Sequence, residues 1–304
     1  MTVPPEVLAI GEAMVLVSPA LPEALETADV FRLDPAGAEA NVASHLAAMH
    51  RRAAWAGALG DDALGHRLAR QLCDRGVDTG WVVFDAEAPT GVYVKDPGRA
   101  VLYYRSGSAA SCLGPAFVDG LPIASTRVVH LTGITPALSG SCDALVEAVF
   151  EQALAAGTTV SFDVNHRPQL WPSAEAAAIR LRELAARADL VFVGLDEAAA
   201  LWNCATEDDV RAVLPEPPLL VVKDGAVAAT EFSTTAGVDD TAVRVPALPV
   251  ELVEAVGAGD AFAAGYLAAF LDGAPARDRL RAGHERAVLA LADTGDFPRR
   301  EPSR

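Results

Sequence analysis

Cysteine is scarce: Cys73, Cys112, Cys142 and Cys204 are the four in 304 residues, far apart and without a C-x-x-C pair. That excludes a zinc ribbon and a disulfide framework, and buried free thiols are expected. Long apolar runs are also missing. The longest, Ala261 to Leu271, falls well short of the roughly 20 residues a membrane helix needs. The opening MTVPPE has neither the basic nor the apolar region of a secretory signal. A cytoplasmic protein with no membrane partner is therefore expected. Positive charge is in deficit, with 24 Lys and Arg against 41 Asp and Glu for a formal net charge of -17. Such a chain repels phosphate backbones, which excludes nucleic acid as a partner, and it would need a local cluster of cations to hold any anionic substrate. No repeat, low-complexity tract or long linker interrupts the chain, so a single domain over residues 1–304 is expected.

What is present is a 51% hydrophobic chain, long enough to bury a large core. From Val128 onward it alternates. VVHLTGI is strand-like, Cys142 to Ala156 helix-like, TTVSFDV strand-like and Ala174 to Ala188 helix-like. DLVFV, a helix from Asp196 and PLLVVKD continue the series, which is the pattern of a parallel sheet wrapped by helices. Earlier strand-like runs at Met14 to Ser18, Gly91 to Lys95 and Val101 to Tyr104 are separated by helical stretches at Glu39 to Met49 and Ala63 to Arg75. They form a small separate sheet in this reading.

Near the C-terminus stands VGAGDAFAAGYLAAF. Phe262, Tyr266 and Phe270 recur every four positions, so a helix starts near Ala258 with Gly257 and Gly259 at its mouth. The first turn of a helix carries unpaired N–H groups and partial positive charge, and glycine lets an anion approach them closely. By itself Asp260 fits equally well as an ordinary acid in a first turn, which favours acids.

Three stretches together resemble the PfkB (ribokinase-like) family of carbohydrate kinases, in that family's order along nearly the whole chain. PAGAEANVASHLA at Pro35 to Ala47 resembles its N-terminal sugar-binding signature, with Gly37, Ala38 and Asn41 at the substrate positions. GALGDDALGHRLARQLCDRGVDT at Gly57 to Thr79 resembles its GDD-containing block, and VGAGDAFAAGYLAAF its C-terminal signature. The resemblance implies a three-layer α/β domain with a small β-sheet lid, drawn from segments at about 12–35 and 91–106. It also implies ATP as phosphate donor, Mg2+ as its companion, Asp260 as catalytic base, and an anion hole made by Gly257, Ala258 and Gly259.

Within the family, YYRSGSAAS at Tyr103 to Ser111 and DVNHRPQLW at Asp163 to Trp171 resemble segments of 2-keto-3-deoxygluconate kinases. That implies Tyr103, Arg105 and Arg167 as contacts to a sugar acid or to the transferring phosphate, with Tyr93 and Ile134 as pocket walls, although either also fits a plain core role. A guanidinium pairs bidentately with carboxylate or phosphate, and a neutral sugar needs no two such groups. VVKDGAVAAT at Val221 to Thr230 stands at the nucleotide loop, where Lys223 and Gly225, together with Asn165, Arg167 and His284, are the expected ATP contacts.

Several positions depart from the family pattern. Ala228 or Ala229 replaces a loop glycine, and an Asn-x-x-Glu motif tied indirectly to magnesium survives only as Glu197, with Gly194 in place of the Asn. Glu254, Ala255 and Val256 replace Asp-Thr-Thr, and His284 replaces an Asn. These changes touch nucleotide affinity and potassium dependence. Three readings stand: a sugar-acid kinase, a kinase for a neutral sugar or nucleoside, and a sugar sensor without turnover. The two arginines favour the first, and the intact GAGD favours both kinases over the sensor. A homo-oligomer is expected from the lid's free sheet edge.

Overall fold

The computed structural model describes residues 3–21, 23–96, 100–234, 241–250, 256–292 and 297. The N-terminal half runs β1 (Val7–Ile10), β2 (Met14–Pro19), β3 (Phe31–Ala36), α1 (Ala38–Ala48), β4 (Ala53–Gly60), α2 (Ala63–Asp74), β5 (Asp78–Asp85), β6 (Val92–Asp96) and β7 (Ala100–Tyr104). The alternating stretch is β8 (Val128–Thr132), α3 (Thr135–Leu138), α4 (Gly140–Ala156), β9 (Thr159–Asp163), α5 (Ala174–Ala185), β10 (Leu190–Gly194), α6 (Leu195–Trp202), α7 (Glu207–Val213) and β11 (Leu219–Asp224). A hairpin of β12 (Ala228–Ser233) with β13 (Thr241–Pro246) follows, then α8 (Ala258–Leu271) and α9 (Ala276–Leu291).

One sheet has the order β13-β12-β11-β10-β9-β8-β1-β4-β5, parallel from β5 to β11 and antiparallel at β12 and β13. Its central strands are buried on both faces, and successive side chains feed opposite cores. On β1, Leu8 and Ile10 join the core formed with α4 and α5, whereas Val7 and Ala9 join the core formed with α1 and α8. Two cores on two faces make three layers. The second sheet, β3-β2-β6-β7, stands apart, with its strands drawn from residues 14–36 and 92–104. Among the described residues no helix is long and apolar enough to cross a membrane.

Local chemistry fixes the ends that matter. Gly37 opens α1 at φ 136°, and a Cβ there would lie 2.3 Å from the Glu12 carbonyl oxygen, so no other residue fits without moving the chain. Gly257 opens α8 at φ 83°. Asp62 caps α2 by accepting from the Gly65 N–H at 2.7 Å, and Ser139 caps α4 through the Cys142 N–H at 3.1 Å. All four cysteines are free, but burial holds only for Cys142 and Cys204. Cys73 lies on the outer face of α2 and Cys112 at the end of a short 3-10 turn, and both are exposed.

Candidate active site

A cavity of about 1020 Å³ is walled by β-strand ends and the mouth of α8 on one side and by the small sheet on the other. At its centre is Asp260, on the first turn of α8 and 9% exposed. The first bond of α8 runs from the Ala261 N–H to the Gly257 carbonyl, 2.9 Å, so the N–H groups of Ala258, Gly259 and Asp260 have no acceptor within the helix. Asn41 on α1 donates from Nδ2 to Asp260 Oδ2 at 2.9 Å, and Asn165, in the left-handed region at φ 40°, places Nδ2 3.5 Å from Oδ1. Burial pushes the Asp260 carboxyl up to about 7, partly offset by the Asn41 hydrogen bond; Asp163 raises it further, while Arg167 and Lys223 draw it down.

Lys223, at the end of β11, pairs with Asp163 at the end of β9, Nζ to Oδ2 2.8 Å. Burial alone would lower the Lys223 ammonium, but Asp163 and Glu197 beside it hold it above its ordinary value. Asp163 Oδ1 is buried with no hydrogen-bond partner. Glu197 accepts from the His166 N–H and the Gly194 N–H, both at 2.8 Å, and so braces the turn that carries Asn165 and Arg167. Arg167 is exposed on that turn and donates to the His166 carbonyl at 3.1 Å.

At the other end, Tyr93 on β6 stacks on Tyr103 on β7 with ring centres 5.7 Å apart, and Arg105 lies 5.5 Å over the Tyr103 ring. Arg105 is not a free cation, because its guanidinium donates to Glu12. Ile134, Gly37 and Ala38 line the same space, as do Gly225 in the β11–β12 turn at φ 47° and His284 on α9. His284 donates from Nε2 to the Val245 carbonyl at 3.1 Å, and its ring meets Phe262 edge-on at 5.2 Å. Its neighbours Ala247, Leu248, Pro249, Ala287 and Val288 make that end apolar.

Every residue given a catalytic, substrate, nucleotide or metal role from the sequence lies on this one cavity. Ala228 and Ala229, one of which stands where the resemblance implies a further glycine, pair with Asp224 and Lys223 across the hairpin. Of the altered triplet, Val256 is 40% exposed, and Glu254 and Ala255 lie outside the described residues. Three acids escaped the sequence reading. Glu12, Glu39 and Asp163 are each at most 2% exposed and line the cavity, and the signal for the first two was an isolated carboxylate inside an apolar or alanine-rich stretch.

The model of the pfkB family of carbohydrate kinases matches residues 4–299, and the chain belongs to that family. It is 32% identical over 302 residues to the 2-dehydro-3-deoxygluconokinase of Bacillus subtilis strain 168, covering 96% of this chain and 91% of that one. Fructokinase-1 of Oryza sativa subsp. japonica is 35% identical over 269 residues, covering 86% of this chain and 81% of the other. The crystal structure of a PfkB protein from Polaromonas sp. JS666 superposes with a TM-score of 0.86 at 36% identity, covering 94% of this chain and 96% of that one.

Proposed function

We propose that this kinase transfers the γ-phosphoryl group of ATP to the terminal hydroxyl of a sugar acid, 2-keto-3-deoxygluconate, giving the 6-phosphate and ADP. The observation that supports this most is the placement of a buried carboxylate, Asp260, at the open mouth of α8, with the Arg167 cation near enough to act on it. Asp260 takes the hydroxyl proton as that oxygen attacks phosphorus and the bond to the ADP oxygen breaks. The N–H groups at Gly257, Ala258 and Gly259 hold the charge that spreads over the phosphoryl oxygens. Lys223 neutralises part of the same field and holds Asp163 in place.

The four-stranded sheet serves as a lid that excludes water competing for the phosphoryl group. The apolar end near His284 takes the base of the nucleotide, and the end with Tyr93, Tyr103, Ile134, Gly37 and Ala38 takes the sugar. Among the described residues no group of three or more His, Cys, Asp or Glu is placed to hold a metal by itself. Asp163, with its unpartnered Oδ1, would help hold a Mg2+ ion brought in with the nucleotide, and Glu197 would support it indirectly by fixing the turn. Such an ion supplies charge neutralisation of the phosphates. Exposed Leu102 and Tyr104 on the small sheet suit pairing with a second copy of this chain.

A second reading, a neutral-sugar kinase, draws on one observation: Glu12 already neutralises Arg105. Screening sugar acids, neutral sugars and nucleosides for ADP release separates the two. Release with 2-keto-3-deoxygluconate above all others is expected, and preference for fructose or ribose overturns the sugar-acid reading.

A further inference from the structure

Glu12 and Arg105 form a salt bridge with almost no access to solvent, at 2% and 11% side-chain exposure. Arg105 gives one arm of its fork to Glu12 Oε2, while its Nε is buried with no hydrogen-bond partner. Glu12 Oε1 is likewise buried without one. A second carboxyl, Glu39 on α1, lies fully buried beside the pair. Its Oε1 accepts from Thr132 Oγ1 at 2.7 Å and Thr135 Oγ1 at 2.9 Å, and its Oε2 has no partner. All three charged residues are on the cavity wall. Burial pushes Glu12 up to about 7 despite Arg105, with Glu39 adding to the rise, and burial also raises Glu39. The titratable groups that act on Glu12 are Arg105 beyond β7, Glu39 on α1 and Cys142 on α4, and Lys95 on β6 lines the same cavity.

This arrangement has a consequence for any substrate carboxylate that reaches Arg105. The guanidinium would then face a third carboxyl group in a space that water scarcely reaches, and like charges so buried repel strongly. The conflict is relieved if Glu12 takes a proton from solvent. A neutral Glu12 no longer competes for the fork, and its new O–H becomes a donor. We propose that Glu12 is a proton-coupled gate on substrate charge: an anionic sugar binds at Arg105 only as Glu12 is protonated, whereas a neutral sugar leaves the Glu12–Arg105 pair intact. The inference rests on the sugar-acid reading and adds to it a residue that sets specificity by acting through Arg105. In chemical terms, each acid bound brings in one proton, which forms the Glu12 O–H bond and cancels the charge the acid carries in.

The test is calorimetric binding of 2-keto-3-deoxygluconate at pH 8 in two buffers of different ionisation enthalpy, which counts protons taken up. It is done on Asp260→Asn, so that the other carboxyl that titrates near neutrality takes no part. Between about half and one proton per acid bound is expected, and none for fructose. Adding Glu12→Gln should remove the uptake and flatten the rise of the acid's dissociation constant with pH, which otherwise approaches about tenfold per unit above pH 7. Acid binding with no proton uptake overturns the gate and leaves the sugar-acid reading standing. Binding of fructose but not of the acid overturns both. If the double variant does not fold, the proton count on Asp260→Asn alone decides.

Discussion

Asn41 Nδ2 donates to Asp260 Oδ2 at 2.9 Å across 219 residues of sequence, and this bond joins the first helix to the head of α8. It favours the ionised carboxylate in a place where burial disfavours it. A base must be ionised to work, so kcat/KM should fall about tenfold per pH unit as pH drops below about 7, the value to which Asp260 is pushed. Asn41→Ala removes the bond, raises the carboxyl further and should move this acid limb to higher pH. A pH profile of kcat/KM for both proteins checks it, and a limb unmoved in the variant contradicts the role given to Asn41.

The same burial costs stability. The Asp260 carboxyl is raised from an ordinary 3.8 to about 7, so the folded state holds its proton more tightly than the unfolded chain. Its contribution is therefore best below pH 3.8 and is lost as pH rises through 7. Asp260→Asn, which never ionises, should melt higher than the parent at pH 8, on the order of 2–10 °C. Near pH 4 the gap should close. Melting curves at the two pH values give the answer, and a variant less stable at pH 8 contradicts the sign.

Arg167 is more open to a charged ligand than Arg105, since it is exposed in the cavity and its hydrogen bond is to a carbonyl rather than a carboxylate. A hydrogen bond to a charged group contributes roughly 1.5 to 3 kcal/mol, so Arg167→Ala should cost about 10- to 150-fold in kcat/KM for 2-keto-3-deoxygluconate. Arg167→Lys should recover part, because it keeps the charge and loses the planar fork. The alanine variant should also narrow the gap between the acid and fructose. An unchanged preference contradicts this.

Potassium should activate weakly or not at all. Val256 offers no side-chain oxygen at the start of the α8 motif, and Glu254 and Ala255 stand where the family resemblance implies an Asp and a Thr. Rates in sodium, potassium and a bulky organic cation at matched ionic strength test it, and a large rise specific to potassium refutes it.

The alternation from Val128 was legible because each strand is a short β-branched run and each helix has one apolar face. β4 was not, since AAWAGALG is buried along its whole length and its small residues show no period of two. β12 and β13 form an antiparallel hairpin with one half-exposed strand, and their signal is faint. At the site, Asp260 announced itself through its glycines. Glu12 and Glu39 did not, because what gives them meaning is distant in the chain: Arg105 lies 93 residues from Glu12, and Thr132 lies 93 from Glu39. Local sequence records a lone acid, and only the fold supplies its partner. Nor does the sequence separate the two arginines, which the fold makes unlike: Arg167 is exposed, and Arg105 is already paired with Glu12.

The role of Asp260 as base is tested most directly by the kcat of Asp260→Asn with 2-keto-3-deoxygluconate and ATP at pH 8. A positioned general base supplies roughly 10²- to 10⁴-fold, so kcat should fall by about that range while the circular dichroism spectrum is unchanged. Turnover near the parent rate would mean that the proton leaves by another route and that Asp260 is not the base.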